Sequence, residues 1–168
     1  ARALAPRPEV VLLDEPFAAL DAGMRAELRA EVRDVLRTAG ATAVLVTHDQ
    51  EEALSTADLV GVMRAGRVVQ TGSPEDLYAS PADLETARFV GDSVELAARV
   101  TDGTAHTALG PVAVRAGSAG GAGVALVRPE QLLLVDDGVA AVIREITFHG
   151  HDALLEVELR ETGQRVSV

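Results

Sequence analysis

The chain has 168 residues, 48% of them apolar, enough to bury a core in one domain or two small ones. A formal net charge of −11, with no lysine, no tryptophan and one tyrosine, argues against nucleic acid or an anionic membrane as partner, since both demand clustered cations. Zero cysteines exclude disulfides, thiolate zinc sites and cysteine nucleophiles and fit a cytoplasmic chain, and no apolar run approaches the roughly 18–20 residues of a bilayer span.

In chain order, residues 1–8 read as the end of a helix stopped by Pro6 and Pro8. The chain opens on Ala1 and is expected to be a fragment. A short apolar strand over 10–13 follows and ends in two adjacent carboxylates, Asp14 and Glu15. Asp21 is placed to cap a helix running to about Thr38, with Gly40 as its stop. Met24, Leu28, Val32, Val35 and Leu36 give that helix an apolar stripe. The row Arg25, Arg29, Arg33, Arg37 is interleaved with Glu27, Glu31 and Asp34, which predicts a solvated face.

A second apolar strand over 43–47 ends in His48 and Asp49, and a short helix over 50–56 comes next. A hairpin is expected over 59–71, turning at Ala65-Gly66. Ser73-Pro74-Glu75-Asp76 and Ser80-Pro81-Ala82-Asp83 each read as a cap followed by proline and acid, predicting two short helices that end near Gly91.

Beyond Gly91 the pattern changes to short β-rich stretches over 95–100, 112–115, 124–127, 139–148, 153–159 and 165–168. Strict alternation in Leu155-Glu156-Val157-Glu158-Leu159 puts one face in a core and the other in water. The glycine-rich run 116–123 predicts a flexible loop, because neither a helix start nor Lys-Ser/Thr follows it. Strands spaced by turns suggest a small barrel or sandwich, with the domain boundary at Gly91-Asp92. His149 and His151 flank Gly150 at an expected hairpin and lack the further ligands a metal site needs. Arg128-Pro129-Glu130 reads as a structural turn in preference to an anion site.

Two strands that end in Asp14-Glu15 and in His48 carry a recognisable chemistry. One carboxylate can hold Mg²⁺, the next can orient or deprotonate a water, and an imidazole can touch a terminal phosphate. A phosphate-binding loop of the G-x-x-x-x-G-K-[ST] type is absent from the chain.

The succession LLDEP, FAALDA, LVTHDQEEA, GRVVQTGSPEDLY resembles the second half of an ABC-transporter ATP-binding subunit of importer type. Val127-Arg128-Pro129-Glu130 and Phe148-His149-Gly150-His151 resemble the accessory TOBE domain of importer ATPases. Four motifs in order are specific where any one alone is weak. The resemblance implies an α/β fold, a partial RecA-like nucleotide-binding domain over 1–91, followed by a small all-β, OB-like or TOBE-like domain over 92–168. It implies that Asp14 holds Mg²⁺ through its water shell, that Glu15 is the general base, and that His48 is the switch histidine at the γ-phosphate. Asp21 matches the D-loop, which crosses the seam of a nucleotide-sandwich dimer.

Phosphate loop, glutamine loop and signature motif lie N-terminal in that family, and Ala1-Arg2-Ala3-Leu4 resembles the end of the helix after the signature. Truncation is therefore expected, as is a further strand beyond Val168. The implied cofactors are ATP and Mg²⁺. The implied partners are a second ATPase subunit in a homodimer or pair, transmembrane permease subunits and, indirectly, a solute-binding protein, at the cytoplasmic face of the membrane. Ferric-iron importers are the nearest group, with polyamine, sulfate, thiamine and sugar importers close to them. The competing reading is a non-enzymatic β domain, sensing a small oxyanion or partner, attached to an inactive ATPase remnant.

Overall fold

The computed structural model describes residues 4–6, 8–115 and 117–168. Two compact units divide the chain, Ala1–Gly91 and Asp92–Val168. Residues 4–6 form a turn; the helix end expected at Ala1-Arg2-Ala3 lies outside the described residues. Among the described residues no helix is long and apolar enough to cross a membrane.

The first unit begins with β1 (Val10–Asp14), α1 (Ala22–Ala39) and β2 (Thr42–Val46). β1 and β2 pair in parallel, with Leu12 opposite Val44 and Asp14 opposite Val46, and a parallel pair requires the helical crossover that α1 supplies. Asp21 caps α1 by accepting from the Met24 backbone N–H, and Gly40 ends it in the left-handed region at φ 60°. One face of this two-stranded sheet is bare: Val10, Leu12, Val44 and Val46 are all exposed.

α2 (Gln50–Thr56) is followed by a hairpin of β3 (Val60–Arg64) and β4 (Arg67–Gly72). Ala65 and Gly66 both take positive φ, 48° and 74°, as a tight two-residue hairpin turn demands. α3 (Pro74–Ala79) is capped by Ser73, and α4 (Leu84–Val90) by Asp83. The second helix thus starts at Asp83 and not at Ser80. The Ser80 N–H still bonds back to the Asp76 carbonyl, and the Gln70 side chain holds the Ser80 carbonyl and the Ala82 N–H, so residues 80–82 serve as a link. Val62, Leu77 and Val90 form the core of this part, against Val60, Val69 and Tyr78.

The second unit is all β. β5 (Val94–Thr101), β6 (Thr104–Thr107), β7 (Gly110–Ala113) and β8 (Gly121–Val127) make an antiparallel sheet in the order β7-β6-β5-β8. β9 (Ala141–Phe148), β10 (Ala153–Leu159) and β11 (Arg165–Ser167) make a second antiparallel sheet with β10 central. Val94, Leu96 and Val127 of the first sheet share a core with Val157, Leu159 and Val166 of the second. Val157 and Leu159 point inward as their alternation predicts, while Glu158 on the other face pairs with Arg144.

One strand goes unread in the sequence and one expectation fails here. β6 escapes a hydrophobicity reading because Ala105 is its only apolar residue, yet Ala105 is fully buried. The glycine-rich run is not loop throughout: Gly121, Ala122 and Gly123 pair with Val100, Arg99 and Ala98. Strand pairing by the backbone does not need a side chain there.

Leu77 is fully buried, so Leu77→Ala should cost about 2–5 kcal/mol in urea unfolding through lost transfer energy and a residual cavity. Leu133→Ala, at an exposed position, should stay within about 0.5 kcal/mol.

Candidate functional site

The site is built at the carboxyl ends of β1 and β2. Glu15 continues the ladder one step, donating its N–H to the Val46 carbonyl at 2.9 Å. It then turns sharply, at φ 45°, a left-handed conformation that costs a non-glycine residue roughly 1 kcal/mol or more. Phe17, almost wholly buried, anchors the turn, and its carbonyl accepts from Leu20.

From β2 the chain runs through Thr47 into His48 and Asp49. The Thr47 hydroxyl donates to Glu52 Oε2 at 2.7 Å and accepts from the Asp49 N–H, while Asp49 Oδ1 accepts from the Glu52 N–H. Residues on both sides of His48 are therefore tied into the first turn of α2, and the imidazole is left facing out. Its Nδ1 lies 2.7 Å from Glu15 Oε1. Side-chain exposures of 80% for His48 and 35% for Glu15 make this an open contact at the surface. The hydrogen bond to Glu15, then the charge of Glu15, raise the His48 pKa above its ordinary 6.5.

Asp14 is exposed at the last position of β1, and its carboxylate makes no hydrogen bond or ion pair among the described residues. Asp21 stands at the start of α1, with its carboxylate spent on the helix cap. Of the four residues singled out by sequence, the fold joins Glu15 with His48 directly and keeps Asp14 beside them on β1. No group of three or more His, Asp or Glu gathers for a metal among the described residues. A lone strand-end carboxylate suits Mg²⁺, which keeps much of its water shell and takes one or two carboxylates.

No protein-family model matches the chain. It is 52% identical over 161 residues to the Fe(3+) ions import ATP-binding protein FbpC 1 of Rhodococcus jostii (strain RHA1), covering 95% of this chain and 46% of that protein. It is 52% identical over 165 residues to FbpC of Pseudomonas fluorescens (strain Pf0-1), covering 95% and 47%. To FbpC of Serratia marcescens it is 44% identical over 172 residues, covering 100% and 50%. Over nearly its whole length the chain is similar to these ABC importer ATP-binding proteins. It spans about half the length of the curated relatives it matches.

The arginine row of α1 is a solvated face only at Arg37; toward the start of the helix it turns into the seam with α2. Arg25 pairs with Asp49 at 3.3 Å, Arg29 with Glu51 at 3.5 Å, and Arg37 with Asp58 at 2.9 Å. Arg33 donates to the Ser55 carbonyl, and Arg29 is itself buried. Four-residue spacing lines Arg25, Arg29 and Arg33 along the seam with α2, on a different face from Glu27 and Glu31, and carries Arg37 on to Asp58 beyond it. Asp49 is held below the ordinary carboxylate range, first by the Glu52 N–H and then by Arg29 and Arg25.

Since the folded His48 pKa lies above 6.5, its contact with Glu15 stabilises the fold fully below that pH and fades as pH rises through the raised value. An NMR titration should place the His48 midpoint above 6.5, and Glu15→Gln should return it toward 6.5. A midpoint indifferent to that substitution would remove Glu15 as the cause.

Proposed function

We propose that this chain is the hydrolytic part of the ATP-binding subunit of an ABC importer, with ferric iron as the solute. The observation that carries the reading is the 2.7 Å contact between Glu15 and His48, which comes from two parallel strands 33 residues apart. The similar proteins, ferric-iron import ATP-binding proteins, support the nucleotide and the solute.

Unit Ala1–Gly91 is then the second half of a RecA-like nucleotide-binding domain. The bare apolar face of β1 and β2 supports this, because parallel sheets are otherwise covered on both sides. Unit Asp92–Val168 is an OB-like, TOBE-like β domain that adjusts the ATPase and the geometry of its dimer. The working assembly pairs two ATPase subunits against transmembrane permease subunits at the cytoplasmic face of the membrane, fed indirectly by a solute-binding protein.

Asp14 would hold Mg²⁺ through water, and Mg²⁺ when bound neutralises charge on the β- and γ-phosphates of ATP. Glu15 orients the attacking water and accepts its proton. His48 gives Nδ1 to Glu15, which leaves Nε2 on the far edge of the ring for a γ-phosphate oxygen. A raised pKa favours the doubly protonated ring, which donates at both nitrogens. Asp21, at the start of α1, belongs to the D-loop at the dimer seam.

In the complete subunit, Glu15→Gln should retain ATP binding and lower kcat roughly 10²–10⁴-fold, because the water loses its base but not its space. His48→Ala should also lower turnover. Near-normal turnover in the glutamine variant would take Glu15 out of the chemistry.

Residues 1–168 alone should neither bind MgATP tightly nor hydrolyse it. Asp14 and Glu15 repel the phosphates, and the chain has no lysine to offset them. Micromolar binding by calorimetry would overturn this.

A further inference from the structure

Arg25 sits one turn into α1 and uses both ends of its guanidinium. Its Nε donates to the Leu20 carbonyl at 3.1 Å, and its Nη1 donates to Asp49 Oδ2 at 3.3 Å. Leu20 immediately precedes Asp21, and Asp49 immediately follows His48. One rigid, planar group therefore bridges the loop after β1 and the loop after β2.

The Asp49 end of this bridge has little freedom. Its other oxygen, Oδ1, is occupied by the Glu52 N–H at the start of α2, so Asp49 cannot leave Arg25 without disturbing the helix cap. Side-chain exposures of 33% for Arg25 and 25% for Asp49 shield the pair in part, which strengthens it relative to a fully solvated one. At the far end of α1, Arg37 makes a comparable bridge to Asp58 in the open. Holding α1 against the segment after α2 is thus not left to Arg25 alone, and the Leu20 contact adds nothing to that docking.

We propose that Arg25 is a positioning residue, coupling the loop that carries Asp21 to the loop that carries His48. This rests on the ATPase reading above, in which the Asp21 loop meets a second subunit. Movement of Leu20 is passed through the guanidinium to Asp49, and from there to the backbone of His48 and its contact with Glu15. Lysine cannot replace it, because a single ammonium lacks the fork that reaches a carbonyl and a carboxylate together.

The test uses the complete subunit, assayed for ATPase activity against ATP concentration, for ATP binding and for thermal midpoint. Arg25→Ala and Arg25→Lys should each lower kcat roughly tenfold while KM stays within about twofold, as expected when groups are misplaced but not lost. Asp49→Asn, which keeps a good helix cap, should reproduce the loss. The double variant Arg25→Ala/Asp49→Asn should be no slower than Arg25→Ala, since both break one coupling. Arg37→Ala, which breaks a more exposed bridge on the same helix, should keep the wild-type rate and lower the thermal midpoint no more than Arg25→Ala does.

Equal rates for Arg25→Ala and Arg37→Ala would overturn the proposal, as would a loss confined to KM or full rescue by lysine. Additive losses in the double variant would do the same. If the wild-type subunit hydrolyses no ATP, or Glu15→Gln is fully active, the ATPase reading fails and this inference with it. If those two controls behave and the Arg25 variants do not, only the coupling is wrong.

Discussion

The parallel register of β1 and β2, with Asp14 opposite Val46, is the constraint on which the candidate site depends. Parallel strands end at the same edge of a sheet, so the residues that follow them are neighbours however far apart they are in sequence. A hairpin between the same two strands would have sent Glu15 and His48 to opposite edges. α1 prevents that. Its 18 residues, begun by Asp21 and ended by Gly40, return the chain to the same edge at which β1 began. The Glu15 N–H then takes the Val46 carbonyl, and the positive φ at Glu15 turns its carboxylate out of the ladder toward His48.

Charge in this chain is arranged by element and not by surface. All of its cationic side chains other than histidine are arginine, against 26 acids. On α1 four of them face one seam, where they meet Asp49, Glu51, Asp58 and the polar groups of Ser55. In the second unit Arg144 takes both oxygens of Glu158, and Arg165 takes Glu156, across adjacent strands. Such forked contacts suit arginine, whose donors are fixed in a plane, in a way that lysine would not match.

Features governed by short sequence intervals were legible. The two apolar strands to within a residue at each end, the caps at Asp21 and Ser73, the stop at Gly40 and the Ala65-Gly66 turn all follow from local backbone preferences. Features that depend on a distant partner were not. Spacing puts Arg25 on a different helix face from Glu27 and Glu31, but it cannot name Asp49, on another element, as the partner. Asp83 displaced Ser80 as a cap because Arg64, on β3, fixes its carboxylate with two hydrogen bonds. β6 carries a signal that hydrophobicity overlooks: Asp102-Gly103, both at positive φ, is a hairpin turn that demands a strand on either side.

The openness of the Glu15–His48 contact bears on how such a site would be controlled. In water an exposed carboxylate and imidazole interact weakly, because solvent screens them and competes for their hydrogen bonds. Covering the same pair with a second surface removes that competition without moving either group. In the proposed subunit, closure of the dimer around ATP would provide the cover, and the α1–α2 seam would keep the pair in register until then. A preformed but uncovered pair is ready to act only when the rest of the assembly arrives. That separates geometry, which is built into βαβ pairing here, from electrostatic strength, which must come from the surface that closes over it.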